Sequence, residues 1–180
     1  MIKLAVAIVG MVFLSGCAIT GEPRSENVVY NGDDYTIQND KFRDSISVGE
    51  VSDFPGTGHF TYGGRLAPNF SDKSFKEALE LSLKNVNLYG EGYNLDAKLI
   101  DSGDWSDWFE SSLGEKSRKI KIEYTLKQPN GNTLFSKTIE SEVVIKNNNP
   151  LMPYNITQRE AAEKSYAENI RLVIEEINKI

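Results

Sequence analysis

Two segments of the chain carry apolar residues at the three-to-four-residue spacing of an amphipathic helix. The first begins near Ser71 or Asp72, either of which can cap a helix, and runs to about Tyr89. The second starts at a predicted capping box, Thr157 to Glu160, and continues toward the C-terminus. Their apolar stripes consist of Phe75, Leu79, Leu83 and Val86 in the first helix, and of Ala162, Tyr166, Ile170, Val173, Ile174 and Ile177 in the second. Each helix is therefore expected to bury one face.

Four further segments have the apolar and polar alternation of half-buried β-strands. The first two lie near 46–51 and 93–99, on either side of the first helix. The third, 120–126, and the fourth, 134–145, are joined by a turn at 129–132 and predict an antiparallel pair. The order β-α-β-β-β-α predicts an α+β fold, with two amphipathic helices on one face of a largely antiparallel sheet of about four strands.

The chain ahead of these elements divides into two parts. Residues 4–13 form an apolar run that is too short to cross a bilayer, which needs about 20 residues, but suits the core of a signal peptide. Residues 17–44 are polar, and within them 28–37 have the pattern of a β-hairpin around an Asn-Gly turn. We therefore predict a signal peptide at 1–16, then a tether, then a single α+β domain at 45–180.

A four-residue motif follows the apolar run directly: Leu14, Ser15, Gly16 and Cys17. It resembles the lipobox of bacterial lipoproteins. The resemblance implies cleavage before Cys17, diacylglycerol on its sulfur and, in many bacteria, a further acyl chain on the freed amine. An ordinary secretory peptide with a leftover thiol is the alternative, but a lone free cysteine is a liability in an oxidising compartment.

The resemblance also implies a location. Ala18, rather than aspartate, follows the lipidated position, which in Gram-negative sorting implies transfer to the outer membrane with the domain facing the periplasm. In a Gram-positive host the same motif implies the outer face of the plasma membrane. The element order of residues 45–180 is similar to that of small periplasmic α+β lipoproteins that act as assembly partners and plug or activate envelope machines. That similarity implies an envelope protein or complex as the partner.

The charge of the chain excludes one class of partner. The chain has 20 basic and 26 acidic residues, a net charge of −6, which becomes −7 if Lys3 leaves with the signal peptide. Nucleic-acid binding requires a basic patch, so we expect no nucleic acid as partner.

Catalytic motifs are missing from the sequence. His59 is the only histidine, and it lies in a glycine-rich loop without the lysine of a phosphate-binding loop. The chain also has no Gly-x-Ser-x-Gly nucleophile motif. We therefore expect a non-enzymatic protein with no cofactor and no metal.

Two loops hold the residues that we expect to contact a partner: Phe60 and Tyr62 in loop 52–69, and Trp105 and Trp108 in loop 101–115. Exposed aromatic residues commonly anchor interfaces. If both loops emerge at the same end of the sheet, they form one recognition patch. The alternative is that these rings cover the sheet or fold back on the core.

The second loop also supports a different function, because it contains acidic residues among its tryptophans: Asp101, Asp104, Asp107 and Glu110. Carboxylates could bind calcium, although the spacing is not that of an EF-hand. Paired carboxylates beside tryptophans also occur in enzymes that cleave sugars. An envelope hydrolase, or a glycan- or calcium-binding protein, is therefore the alternative to a partner-binding module.

Overall fold

The structure is a computed structural model that describes residues 23–33, 35–37, 40–59, 66–103, 114–149, 151 and 154–180. Its elements are β1 (Ile46–Ser52), β2 (Gly58–His59), β3 (Leu66–Ala67), α1 (Asp72–Asn85), β4 (Tyr93–Asp101), β5 (Gly114–Lys127), β6 (Thr133–Asn147) and α2 (Tyr154–Asn178). Apart from the short β2 and β3, this is the predicted order. Among the described residues, no helix combines the length and the apolar character needed to cross a membrane.

The main sheet has four strands in the order β1-β4-β5-β6. β4, β5 and β6 are antiparallel neighbours, with Ile122 opposite both Leu99 and Ile139. β1 lies parallel to β4 because α1 carries the chain back across the sheet between them. The predicted α+β fold is thus confirmed, with one parallel pair in an otherwise antiparallel sheet.

Both helices pack on the same face of the sheet. α1 lies over β1, and α2 lies over β5 and β6. The buried side chains of this face include Leu95, Ala97 and Leu99 of β4 and Ile120, Ile122, Tyr124 and Leu126 of β5. The other face is polar and carries ion pairs such as Lys119 with Glu140 and Lys127 with Asp96. The alternation in the sequence therefore reports one buried and one solvated face.

The helix boundaries differ from those predicted. Ser71 caps α1 as expected, since its hydroxyl accepts a hydrogen bond from the amide of Ser74. The helix ends at Asn85 rather than near Tyr89, and the chain turns through Asn87, which has a left-handed φ of 55°. It ends early because the segment after it forms a bridge from Tyr89 to β1.

The predicted capping box at Thr157 is wrong. α2 already begins at Tyr154, so Thr157 lies within its first turn and is buried. The hydroxyl of Thr157 accepts a hydrogen bond of 3.2 Å from the side-chain amide of Asn147, at the end of β6. This residue therefore joins α2 to the sheet instead of starting the helix.

The predicted hairpin at 28–37 is also not observed. The described residues of this segment contain no strand. Residues 23–33 and 35–37, which we call the strap, lie instead across α1 and α2, and Val28 is fully buried between them. No strand pairing is seen in these residues because some backbone groups of the strap bond to the helices and others bond within the strap. The backbone of Arg24, Tyr30 and Thr36 bonds to the helices, whereas the amides of Asn27, Val28 and Val29 donate to carbonyls within the strap. The boundaries of the tether stay a prediction, but its described part is packed on the domain.

Candidate functional site

Most of the loops of the domain leave from one end of the sheet. Because β1 and β4 are parallel, their last residues, Ser52 and Asp101, lie at the same end. β5 begins and β6 finishes there as well, and both helices begin there. We call this region the loop end; it consists of the described residues at 53–59, 66–71, 100–103, 114–118, 144–149, 151 and 154–158.

The predicted contact residues lie in the two loops that this end carries. Phe60 and Tyr62 come between β2 and β3, and Trp105 and Trp108 come between β4 and β5. All four residues fall outside the described part of the chain, as does Cys17. Their roles therefore stay predictions. The described residues that flank both loops nevertheless lie at the same end of the sheet, which is the condition for a shared patch.

The base of the first loop is an aromatic cluster. Phe54 stacks on Phe75 of α1 with ring centroids 4.3 Å apart, and Phe70 packs edge-on against Tyr166 of α2 at 5.1 Å. Phe54 and Phe70 are both buried, so these two loop aromatics belong to the core and do not lie on the open face of the sheet. The loop thus leaves the domain from a well-packed base.

Two hydrogen bonds join the two sides of this loop. The amide of Gly56 donates to the carbonyl of Phe70 at 2.8 Å, and the hydroxyl of Thr57 donates to the carbonyl of Asn69 at 3.1 Å. Beyond them β2 and β3 form a short antiparallel ribbon within the predicted loop 52–69. The segment 60–65, which contains Phe60 and Tyr62, is therefore flanked by paired strands.

The second loop starts at a fixed turn. The carboxylate of Asp101 accepts a hydrogen bond of 2.9 Å from the amide of Gly103. Gly103 has a φ of 81°, and a Cβ at this position would lie 3.0 Å from the carbonyl oxygen of Lys119 on β5. Glycine is needed at this point because the backbone is left-handed and close to the neighbouring strand. The chain therefore leaves β4 in a defined direction.

Two buried cations of β5 lie at the loop end, and the sequence analysis missed them. Lys116 and Arg118 are 6% and 9% exposed and continue the helix-facing row of Ile120 and Ile122. The guanidinium of Arg118 donates to the side-chain oxygen of Gln158 in α2. The alternation of β5 could have identified both residues, had the strand been extended from residue 120 back to 114. The helix-facing side of β5 thus changes from apolar to basic toward the loop end.

The loop end also exposes apolar side chains. Leu151 is 87% exposed, Val144 58% and Ile100 51%, and these are the most exposed large hydrophobic residues of the described chain. The others, Leu81 and Ile180, lie on α1 and at the end of the chain. Single exposed apolar residues are common, but three at one end of the fold mark a surface able to contact a partner.

The acidic loop 101–115 begins with a carboxylate that takes part in a turn. Asp101 is the only one of its four acids in the described chain, and there its carboxylate is used in the turn at Gly103. Within the described ranges, no three metal-ligating side chains come together. The calcium or glycan site therefore stays an alternative that depends on residues 104, 107 and 110.

Charges near the open face of the sheet compensate one another. Glu140 lies 2.9 Å from Lys119 and 3.3 Å from Lys121. The hydrogen bond from Lys119 holds the pKa of the Glu140 carboxyl below its ordinary value, and the same bond raises the pKa of Lys119. Lys98 pairs with Asp53 at 3.6 Å. In the described chain these lysines are thus neutralised by neighbouring acids rather than gathered into a patch for phosphates.

Comparison with known proteins identifies structures of the same fold. No family model matches the chain, and no curated protein matches it. A candidate lipoprotein of Caulobacter crescentus CB15 is similar with a TM-score of 0.50 and 14% identity, covering 76% of this chain and 89% of its own. A Xanthomonas campestris protein of the DUF330 family model has a TM-score of 0.50 and 11% identity, covering 75% of this chain and 86% of its own. At these identities the similarity shows a shared fold.

Proposed function

We propose that this protein is a bacterial lipoprotein whose domain binds another envelope component without catalysing a reaction. Acyl chains on Cys17 would hold it to a membrane, and the aromatic residues of the loop end would make the contacts. The finer expectation, by resemblance to Gram-negative sorting, is an outer-membrane anchor with the domain facing the periplasm.

The lipid anchor is supported by the motif from Leu14 to Cys17 and by the candidate lipoprotein that has the same fold. An acyl chain contributes about 0.8 kcal/mol per buried CH₂ group, and one chain alone binds a membrane reversibly. Two or three chains on one cysteine would give stable attachment. Attachment would raise the local concentration of the domain near its partner, so that a weak binding surface suffices.

The binding role is supported by one observation above all. The residues that flank both aromatic loops lie at the same end of the sheet, each on a base fixed by packing or hydrogen bonds. Aromatic residues presented on a rigid base bind with little loss of conformational entropy. Trp105, Trp108, Phe60 and Tyr62 are therefore the contacts that we propose.

The test is crosslinking in living cells followed by quantitative mass spectrometry of the proteins recovered. We expect a Trp105→Ala/Trp108→Ala double variant to recover its main partner at least tenfold less than the wild type, since aromatic hot spots cost about 2 kcal/mol or more each. Leu81→Ala, which truncates an exposed side chain on α1, is the matched control and should leave recovery unchanged. Equal recovery from the double variant and the wild type would refute the assignment of these contacts.

A further inference from the structure

We propose that the strap fixes the orientation of the domain, so that the loop end faces the membrane that carries the lipid. The inference rests on the proposed anchor at Cys17. It goes beyond attachment because a long flexible tether would let the domain turn freely. The inference about orientation is based on the path of the strap over the two helices.

The strap is attached to α2 at a buried carboxylate. The two oxygens of Glu163 accept hydrogen bonds from the amide of Arg24 at 2.9 Å and from the side chain of Asn27 at 2.8 Å. The guanidinium of Arg159 lies 3.5 Å from the same carboxylate. Hydrogen bonds to a buried charge are shorter and stronger than hydrogen bonds between neutral groups. The start of the strap is thus held near the N-terminal third of α2.

From this point the strap runs toward the opposite end of the domain. The backbone of Tyr30 bonds to Ser82 and Asn85 of α1, at 3.0 and 3.2 Å. Further along, the carbonyl of Thr36 accepts a hydrogen bond of 2.8 Å from Asn178, the last residue of α2. The strap therefore follows the direction of α2, with its first residues nearest the loop end.

The segment between Cys17 and the strap, residues 18–22, which we call the leash, is short. Five residues, 18–22, lie between Cys17 and Pro23, and the six residue-to-residue steps between these two positions span at most about 20 Å. Glu163 lies about 14 Å along the helix axis from Tyr154, whereas Asn178 lies about 22 Å beyond Glu163. The point at which the described chain meets α2 therefore lies closer to the loop end than to the turn between β5 and β6.

The surface that would face the bilayer has exposed apolar side chains of its own. Leu151, Val144 and Ile100 belong to the loop end, whereas the turn at the other end is formed by the polar residues Gln128, Asn130 and Asn132 with Pro129 and Gly131. Apolar side chains at a lipid surface can bury area among the head groups. The short leash and the exposed apolar residues thus favour the same orientation.

The experiment uses the full-length acylated protein in phosphatidylcholine vesicles, after mass spectrometry has confirmed acylation. A fluorescent donor is placed on Leu151→Cys at the loop end or on Asn130→Cys at the opposite end, both exposed positions. Energy transfer to an acceptor in the lipid head groups then reports the distance of each label from the membrane. We expect transfer from position 151 to exceed transfer from position 130 at least twofold.

Release of the strap should remove this difference. Glu163→Gln weakens the bonds to Arg24 and Asn27, so the ratio of the two transfers should fall toward one. Glu160→Gln, one turn earlier and paired with Lys164, is the matched control and should retain the wild-type ratio. Hydrogen exchange of wild-type protein gives a second measure: the amides of Arg24 and Tyr30 should be protected.

The outcomes separate the two proposals. Equal transfer from both labels, or stronger transfer from position 130, on a protein shown to be acylated overturns the orientation and leaves the proposed function intact. Fast exchange at Arg24 and Tyr30 also overturns it. A protein without acyl groups at Cys17 overturns both.

Discussion

Asn169 is the residue on which the attachment of α2 to the sheet depends most clearly. It is fully buried, and its side-chain oxygen accepts a hydrogen bond of 3.0 Å from the hydroxyl of Tyr124 on β5. Its amide nitrogen donates to the carbonyl of Ile139 and to the hydroxyl of Ser141 on β6, both at 3.0 Å. One side chain thus bonds α2 to two neighbouring strands, as a buried polar group must do to offset its lost hydration.

Replacing this residue should destabilise the domain strongly. Asn169→Leu leaves the hydroxyl of Tyr124 and the carbonyl of Ile139 without these partners, and each unsatisfied buried group costs about 1–3 kcal/mol. We expect urea denaturation to show a loss of about 3 kcal/mol in the free energy of unfolding. Asn148→Leu, at an exposed position, should change it by less than about 0.5 kcal/mol. Similar losses for both variants would contradict the structural role of Asn169.

Buried tyrosines predict a loss of stability in alkaline solution. Burial raises the pKa of Tyr35 to about 12, and burial also raises the pKa values of the Tyr166 and Tyr124 hydroxyls well above their ordinary value. Because these pKa values are higher in the folded state, their contribution is complete below pH 10 and falls as the unfolded chain ionises above it.

The variant Tyr166→Phe tests the predicted loss of stability in alkaline solution at one residue. The hydroxyl of Tyr166 makes one long hydrogen bond of 3.4 Å to Asn69, so the variant should lose at most about 1 kcal/mol at pH 7. Above pH 10 its stability should fall less steeply than that of the wild type, by up to about 1.4 kcal/mol per pH unit. The measurement is urea denaturation at a series of pH values. Parallel curves for the two proteins would show that Tyr166 ionises alike in both states.

At the scale of elements, the sequence was sufficient to predict each helix or strand that a local pattern of residues determines. The stripe of α2 and the alternation on both sides of the turn at 129–132 predicted a helix and an antiparallel pair, and both are present. The pairing of β1 with β4 could not be predicted, because the choice of a neighbour in a sheet depends on contacts distant in sequence.

The strap escaped prediction for a related reason. Val28 and Val29 have the composition of a strand, but the groove that buries Val28 exists only after α1 and α2 have packed together. A polar segment with one buried anchor has no periodicity to detect. The candidate site was also predicted only in part. The two loops were identified, whereas Lys116 and Arg118 at the same end of the sheet were missed because the predicted strand began too late.

The connection between α1 and β4 gives a prediction at this scale. A Cβ at Gly90 would lie 1.8 Å from the carbonyl oxygen of Asp44, and the amide of Gly90 is bonded to Ile46 at 3.0 Å, so the backbone cannot move away. Gly90→Ala should therefore cost about 2 kcal/mol or more. Gly58→Ala, where a Cβ would meet no atom of the described residues within 4 Å, is the control and should cost less than about 1 kcal/mol. Thermal denaturation should give a lower melting temperature for Gly90→Ala than for Gly58→Ala. Equal melting temperatures would contradict the close contact at Gly90.

At the scale of the whole molecule, the proposed function combines a lipid anchor at Cys17, a strap packed on the helices and a partner-binding surface at the loop end. The strap packs residues 23–33 and 35–37 onto the domain, so few residues are left between the proposed anchor and the domain. With that anchor, the loop end would lie within reach of partners embedded in the same membrane. This arrangement suits a module that acts on a neighbour rather than on a diffusing substrate.

If the motif directs sorting as we propose, the location of the whole molecule would depend on Cys17 and Ala18. In a Gram-negative host, Cys17→Ser should leave the chain without acyl groups, and Ala18→Asp should retain the acylated protein in the inner membrane. Ser25→Ala, beyond the motif, should leave the wild-type distribution. Membrane fractionation with immunoblotting is the measurement. The same distribution for all four proteins would exclude sorting by this motif.

The most direct test of the central claim is the intact mass of the protein purified from its native membrane. The account predicts a mature chain that begins at Cys17 and carries the added mass of two or three acyl chains. A chain that still begins at Met1, or an unmodified thiol at Cys17, would contradict both the anchor and the tethered binding role derived from it.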